Sequence, residues 1–333
     1  VRVKIIGCGN AFSKKSFNQS FLVTENGRNL LIDCGSTVPM ALANAGVKLS
    51  DIHDIYISHQ HADHIGGLEE VAFTRYDWNK KARHYSEGKY APRLIANEGL
   101  IDVLWNESLK GGLKSMEGFS ATLETFFEVV AVKSGETWHW EGWNVDLIQQ
   151  IHIMAGNDIM PTFGLMFTKA GHKTVYFTTD SQHCSPRQLQ AFYKQADVIF
   201  QDCELSGNNF LFNEGDKYYL HDDPNFPGKP QATAWPTDMM ESMELIAKGV
   251  ATLEWEIFKF GSGVHANYGE LAGYPSANAI RLPDATKAKM WLSHYQDFKL
   301  LNKDMYDNTV DWDKLALKDG FMGFIHLGQE FEF

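Results

Sequence analysis

His59-Gln60-His61-Ala62-Asp63-His64 is the stretch from which the rest of this chain is read. On a helix, side chains two positions apart diverge, so His59 and His61 could not share a metal ion there. On an extended loop leaving a strand they point the same way and can. The preceding run, Ile52–Ser58, reads as such a strand, and a helix is expected from about Ile65 through Phe73. Asp63 and His64 then stand at the start of that helix and can address a second ion. Imidazole nitrogen and carboxylate oxygen suit zinc and similar borderline cations. A chance cluster of surface histidines is the bland alternative, and the order and spacing of the four ligands favour a metal site.

Upstream of the motif, Val1–Ile6 reads as a strand, and Ser20–Thr24 and Asn29–Asp33 flank a hairpin turn at Glu25-Asn26-Gly27. Thr37–Ala45 has helical spacing and stops near Gly46. Downstream, residues 74–120 are mixed, with Leu100–Leu109 the best amphipathic helix. Strands are expected at Val129–Val132, Thr137–Trp140, Val145–Ile153, Phe163–Phe167, Thr174–Thr178 and Val198–Gln201, with a helix over Pro186–Gln195. A Gly-, Pro- and aromatic-rich region runs from Gly207 to about Gly263. A helix over Ala285–His294, an acidic linker and a strand at Phe321–Leu327 close the chain. No internal repeat or clean linker divides it, so one domain over 1–333 with an insertion near 206–262 is the simplest organisation.

Composition limits the function. The chain has 333 residues, 44% of them hydrophobic, enough for a substantial core. Thirty Lys and Arg against 42 Asp and Glu give a net charge of −12, which opposes generic nucleic-acid binding. The nearest basic cluster, Lys80-Lys81-Ala82-Arg83-His84, reads as a solvated face. No stretch reaches the roughly 18 apolar residues of a membrane span. The start has no signal-peptide pattern, and Cys8, Cys34, Cys184 and Cys203 form no Cys-x-x-Cys pair. Reduced thiols in a cytoplasm are the expectation.

The motif at 59–64, with Gly66-Gly67-Leu68 after it, resembles the hallmark of the metallo-β-lactamase superfamily. That resemblance implies an α/β fold, a four-layer αββα sandwich. Leu30-Leu31-Ile32-Asp33-Cys34-Gly35 is similar to the family's strand whose aspartate, here Asp33, supports the ligands from behind. His61 stands where flavodiiron oxygen reductases carry Glu, which disfavours oxygen reduction. His152, in Gln149-Gln150-Ile151-His152, fits the family's third histidine. Asp180, in Tyr176-Phe177-Thr178-Thr179-Asp180-Ser181, fits its bridging carboxylate; a helix N-cap is the structural alternative for it. Asp202, in Ala196–Glu204, and Trp291-Leu292-Ser293-His294-Tyr295 resemble the ribonuclease Z and cyclic-nucleotide phosphodiesterase branch. Gly263-Val264-His265-Ala266-Asn267 is similar to that branch's Gly-His-Ser-Thr-like helix start but lacks Ser-Thr after the histidine. For His265 and His294 a capping or core role is the alternative.

The resemblance implies a dinuclear phosphodiesterase. His59, His61, His152 and Asp180 would hold one divalent ion, and Asp63, His64, Asp180 and His294 the other. Zinc is the first expectation, with manganese tolerated. A metal-bridged hydroxide would attack phosphorus, with Asp63 in the catalytic set and His265, oriented by Asp202, protonating the leaving alkoxide. The nearest resemblance is to phage anti-Pycsar phosphodiesterases and their bacterial relatives, which open cyclic mononucleotides as homodimers. It implies a small nucleotide substrate, and Tyr218, Tyr219, Phe226 and Trp235 could stack on a base or form the insertion's own core. A ribonuclease Z-like tRNA endonuclease and a lactone, thioester or β-lactam hydrolase are alternatives. A non-catalytic metal-binding protein is a third.

Overall fold

The structure is a computed structural model that describes residues 1–81, 91–155, 158–182, 189–205, 212–214, 217–219, 264–272, 282–297 and 311–333. In chain order the sheet strands are β1 (Arg2–Gly7), β2 (Ser20–Glu25), β3 (Arg28–Ile32), β4 (Asp54–Tyr56), β5 (Arg93–Asn97), β6 (Glu128–Val132) and β7 (Thr137–Trp140). They continue with β8 (Trp143–Gln150), β9 (Thr162–Thr168), β10 (Val175–Phe177), β11 (Val198–Asp202), β12 (Met290–Ser293), β13 (Gly323–Phe324) and β14 (Glu330–Glu332). These make two seven-stranded sheets, ordered β14-β1-β2-β3-β4-β5-β6 and β13-β12-β11-β10-β9-β8-β7.

Alternation along the strands builds the layers. In β2 and β3, Phe21, Val23, Leu30 and Ile32 face the core between the sheets, while Leu22 and Leu31 face the opposite way. That period of two is what a sheet buried on both faces requires. The outward face is covered by α1 (Val38–Asn44), α3 (Leu68–Lys81) and α4 (Glu98–Val103), through Leu42, Val71 and Leu100. A short helix between them, α2 (Ala62–Ile65), carries half of the motif. Across the sandwich, Phe21 of the first sheet meets Phe177 and Phe200 of the second at centroid separations of 4.9 and 5.2 Å. Each such aromatic contact adds about 1 kcal/mol beyond the area it buries. Tyr56 Oη donates to the Phe163 carbonyl at 2.7 Å, and the Phe163 amide donates to the Ser58 carbonyl at 3.1 Å. The two sheets are thus laced together directly beneath His59.

The αββα expectation holds, and several local expectations change. The helix expected over Ala285–His294 is confined to Asp284–Lys287, after which Met290–Ser293 is an interior strand, second from the sheet edge and parallel to both β11 and β13. Burial of Met290 and Leu292 in the sheet outweighs the local helix preference of Ala285–Met290. The C-terminal strand shrinks from Phe321–Leu327 to Gly323–Phe324, and a further strand, β14, pairs with β1. β5 falls in the region read only as mixed. The amphipathic helix over Leu100–Leu109 widens into a π-type turn at Leu104–Leu109. Of the expected Pro186–Gln195 helix, Leu189–Tyr193 is a π-type turn and the residues before it lie outside the described ones. Within 206–262 a backbone hairpin is described, pairing Phe212–Glu214 with Lys217–Tyr219. Phe226 and Trp235, and the side chains of Tyr218 and Tyr219, lie outside the described residues.

Candidate metal centre

Parallel pairing decides where the chemistry gathers. β3 and β4 run parallel, as do β10, β11 and β12. Their C-terminal ends therefore share one edge of the sandwich, the edge at which open α/β sheets present ligand sites. Asp33 follows β3, His59 follows β4, and Asp180 follows β10. Asp202 ends β11, and His294 follows β12. His152 lies just past β8. The segment bearing His265 is laid beside Asp202 by a bridge between Glu204 and Asn267. Asp33, Thr179 and His294 each adopt left-handed backbone, at φ of 61°, 55° and 62°. Such non-glycine conformations are costly, and three at one edge mark a place where side-chain aim is fixed at the expense of backbone comfort.

The motif enters this edge as its spacing suggested. His61 is extended, at φ −66° and ψ 148°, and Asp63 and His64 lie in α2. The loop after β3 clamps that helix: the Cys34 amide donates to the His64 carbonyl at 2.7 Å. A Cβ at Gly35 would come within 1.8 Å of the Asp63 carbonyl oxygen, so glycine there permits the contact.

The side chains converge on two points. His59 Nε2 and His152 Nε2 lie 2.9 and 3.1 Å from His61 Nδ1, and 3.6 and 3.5 Å from Asp180 Oδ2. On the other side, His64 Nε2 and His294 Nε2 lie 3.2 and 3.5 Å from Asp180 Oδ1, and 3.5 and 3.3 Å from Asp63 Oδ2. Four ligands around a tetrahedral ion with bonds of about 2.0–2.1 Å would be about 3.3 Å apart, close to these separations. Asp180 belongs to both sets, with a different oxygen in each. Both of its oxygens and His64 Nε2 are buried without a hydrogen-bond partner, an arrangement costly for protein alone and suited to a cation. The donors fit divalent metal ions.

The rear nitrogens fix the imidazoles. Asp33 accepts from the Ser58 amide at 2.8 Å and from Ser58 Oγ at 2.7 Å, and Ser58 Oγ lies 3.0 Å from His59 Nδ1. Asp33 Oδ2 is also 2.8 Å from His64 Nδ1. His152 Nδ1 donates to the Val264 carbonyl at 2.6 Å. Asp202 faces two rings, with Oδ2 3.0 Å from His265 Nδ1 and Oδ1 3.3 Å from His294 Nδ1. A proton held on each Nδ1 leaves Nε2 as the lone pair facing the centre, the usual support of a metal-bound histidine.

Electrostatics divides the imidazoles into two groups. Burial, reinforced by neighbouring imidazoles, drives His59 well below the ordinary value and lowers His61; it takes His152 down to about 4. For His64 and His294, burial opposes charge but the Asp180 and Asp63 carboxylates outweigh it and raise both well above normal. Asp180 and Asp63 are held low by the same contacts, against their own burial. His265 is also raised: burial disfavours its charge, and the Asp202 and Asp180 carboxylates more than compensate.

All ten of the residues singled out for metal, proton transfer or rear support meet at this one edge. Two contributors were not legible. Ser58 had no motif of its own, its signal being only that it precedes His59 on a strand aligned with the Asp33 strand. The Val264 carbonyl is backbone and leaves no trace in residue type. The four remaining described histidines stand elsewhere at the surface: His53 Nδ1 accepts from the Asn29 amide at 3.1 Å, His172 lies 5.3 Å from the Trp143 ring, His139 contacts Asn144 at 2.9 Å and His326 contacts Asp313 at 3.0 Å.

Two facing sheets with helices outside and a histidine–aspartate cluster at one edge define a metallo-β-lactamase fold, and solved structures agree. The metallo-β-lactamase fold protein YhfI from Bacillus subtilis superposes with a TM-score of 0.58 at 16% identity, covering 100% of this chain and 98% of that one. Human tRNase Z, short form, gives 0.55 at 12% identity, covering 100% of each to within one per cent (100% and 99%). Residues 1–212 match the family model of anti-Pycsar protein Apyc1. An anti-Pycsar protein Apyc1 of Bacillus phage vB_BsuM-Goe3 is 34% identical over 213 residues, 61% of this chain and 76% of the relative. Another, of Paenibacillus xerothermodurans, is 37% identical over 209 residues, 62% and 76% of the two chains. The chain belongs to the anti-Pycsar protein Apyc1 family. His265 and His294 lie beyond the matched segment, and the fold nonetheless returns them to its site.

Proposed function

We propose that this chain is a metal-dependent phosphodiesterase that holds two divalent ions and opens a small cyclic nucleotide. The observation that carries the reading is Asp180, whose two oxygens face two separate histidine sets at 3.2–3.6 Å. His59, His61 and His152 would hold one ion with Asp180, and Asp63, His64 and His294 the other. Zinc fits this nitrogen-rich donor set, and manganese is tolerated by it. Two ions sharing a carboxylate supply an activated water near neutral pH and neutralise charge on a phosphoryl group.

The chain's own residues would do the rest. Asp33 and Ser58 hold His59 and His64 in aim from behind. His265, half-buried and hydrogen-bonded through Nδ1 to Asp202, has its other nitrogen available to pass a proton to the leaving alkoxide. A cyclic mononucleotide, in place of folded RNA, accords with family membership and the net charge of −12. The same reading takes the whole chain as one unit with an insertion near 206–262, working as a homodimer in a cytoplasm. No helix among the described residues is long and apolar enough to cross a membrane.

Metal analysis followed by a hydrolysis panel tests the reading. The panel contains bis(p-nitrophenyl) phosphate, cyclic purine and pyrimidine mononucleotides, a tRNA precursor and a lactone. Metal-dependent opening of the cyclic nucleotides is the expected result. Turnover of the tRNA precursor or the lactone alone would replace the reading with one of the alternatives.

A further inference from the structure

Asp33, Thr179 and His294, the left-handed residues of the metal edge, share a neighbour behind them: Gln19-Ser20, at the entry to β2. β2 runs antiparallel to β3, so its first residues lie beside the end of β3, where the ligands gather. Ser20 Oγ donates to the Asp33 carbonyl at 2.8 Å. Gln19 Nε2 donates to Ser293 Oγ at 2.9 Å, and Ser293 Oγ donates to the Gln201 carbonyl at 3.0 Å. That second bond uses the hydroxyl's one proton, so the nitrogen of the Gln19 amide is the atom that faces it, and Oε1 is left over. The Asp33 turn and the residue before His294 are thus bonded directly to Gln19-Ser20.

The Thr179 turn is reached across a cavity between the sheets. Gln19, Asp33 and Thr179 line it, together with apolar side chains of both sheets that include Phe21, Phe163 and Phe177. Gln19 is 4% exposed and Thr179 6%. Among the described residues, neither Gln19 Oε1 nor Thr179 Oγ1 has a hydrogen-bond partner. Buried polar atoms are costly unless something meets them, and here two of them belong to the walls of one small cavity. It offers about 10 Å³ to the centre of a water, room for a single molecule.

We propose that this cavity is a site for one structural water, and that Gln19 is a positioning residue of the metal centre that acts on Thr179 through it. The donor count closes. Thr179 Oγ1 gives its proton to the water, and the water gives one to Gln19 Oε1 and one to Asp33. Water suits the site better than a cation, because its open partners are a neutral amide and a hydroxyl, and the Asp33 carboxylate already meets Ser58 and His64. The result is a continuous chain from Ser293, which precedes His294, through Gln19 and the water to Thr179, which precedes Asp180. It ties the shared carboxylate to a ligand of the second set and both to the Asp33 turn. Three costly backbone conformations persist at one edge because they are fastened to one another. The water site stands apart from the phosphodiesterase reading, and its effect on the ligands rests only on the metal centre.

High-resolution crystal structures of the full chain, paired with zinc affinity from chelator competition, test the proposal. Wild type should show one fully occupied water within hydrogen-bonding distance of Gln19 Oε1 and Thr179 Oγ1. Thr179→Val keeps the branched shape at the left-handed position and removes the hydroxyl. It should lose the water and bind zinc about tenfold more weakly, whereas Thr179→Ser should keep both the water and the affinity. Gln19→Leu should also lose about tenfold. The double variant Gln19→Leu/Thr179→Val should fall no more than about twofold below Gln19→Leu, because both substitutions break the same chain. The wild-type map decides the water even where a variant fails to fold. A wild-type cavity without the water, unchanged zinc affinity in Thr179→Val, loss of affinity in Thr179→Ser, or single-variant losses that multiply in the double variant would overturn the proposal. The expected water and affinities in a protein that hydrolyses no cyclic nucleotide would leave it standing and overturn the phosphodiesterase reading alone.

Discussion

Asp54 and Asp180 are both buried carboxylates in the same sandwich, and their surroundings are opposites. Asp54 opens β4, at the far end of the strand that leads to His59. Arg28 donates to it at 2.6 and 2.9 Å, Arg93 at 2.5 Å, and Trp140 Nε1 at 2.8 Å. Asp180 stands at the metal edge with no hydrogen-bond donor on either oxygen and five imidazoles around it. Protein groups alone complete the first carboxylate, and the second is arranged for something the chain does not supply. The contrast separates a residue that holds the fold from one that holds chemistry, although composition and burial describe both alike.

Substitution should separate them sharply. Asp180→Asn is expected to lower phosphodiester turnover by roughly a thousandfold or more. In the presence of a chelator the variant should remain folded by circular dichroism, with its loss confined to metal binding and turnover. An unfolded variant or retained turnover would erase the contrast. Asp54→Asn should do the reverse. It leaves Arg28 and Arg93 facing a neutral group and should cost about 3 kcal/mol in urea unfolding, with the metal content of the folded protein unchanged. The pH dependence follows from the same pair. Burial would raise the Asp54 carboxyl, but hydrogen bonds from Arg28, Arg93 and Trp140 hold it below its ordinary value. Its contribution is therefore complete above the unfolded value of about 4 and is lost as pH falls through the lower folded one. Unfolding midpoints taken in chelator down this acid range should fall for wild type more steeply than for Asp54→Asn. Parallel curves would show that Asp54 carries none of the acid sensitivity.

The smallest expected effect concerns the supports behind the ligands. Ser58→Ala removes the link between His59 Nδ1 and Asp33 without touching a donor atom, and should weaken metal affinity about tenfold in chelator competition. An unchanged affinity would mean that the backbone alone aims His59.

This contrast also explains what the sequence disclosed. The proposed ligands of the 59–64 hexapeptide were legible from residue type and spacing, and His152, Asp180 and His294 were singled out through the family resemblance that the hexapeptide opens. The Asp54 cluster was not, since Arg28, Asp54, Arg93 and Trp140 come together only through the pairing of β3, β4 and β5 and the packing of the second sheet on the first. Local preference misled at Ala285–His294, where Met290–Ser293 is taken into a sheet between two parallel neighbours. The strand Arg93–Asn97 was hidden because four successive buried residues, Leu94–Asn97, give no alternation to read. Backbone partners such as the Val264 carbonyl have no residue signature at all.

The central claim is that one aspartate joins two ions, and metal counting tests it most directly. Protein loaded with zinc, freed of excess ion and analysed by plasma mass spectrometry should carry two ions per chain in the wild type and in the surface control His139→Asn. Asp180→Asn should carry one or fewer while remaining folded by circular dichroism. Two tightly held ions in Asp180→Asn would contradict the shared carboxylate, and a wild type that opens cyclic nucleotides with no bound metal would contradict the account as a whole.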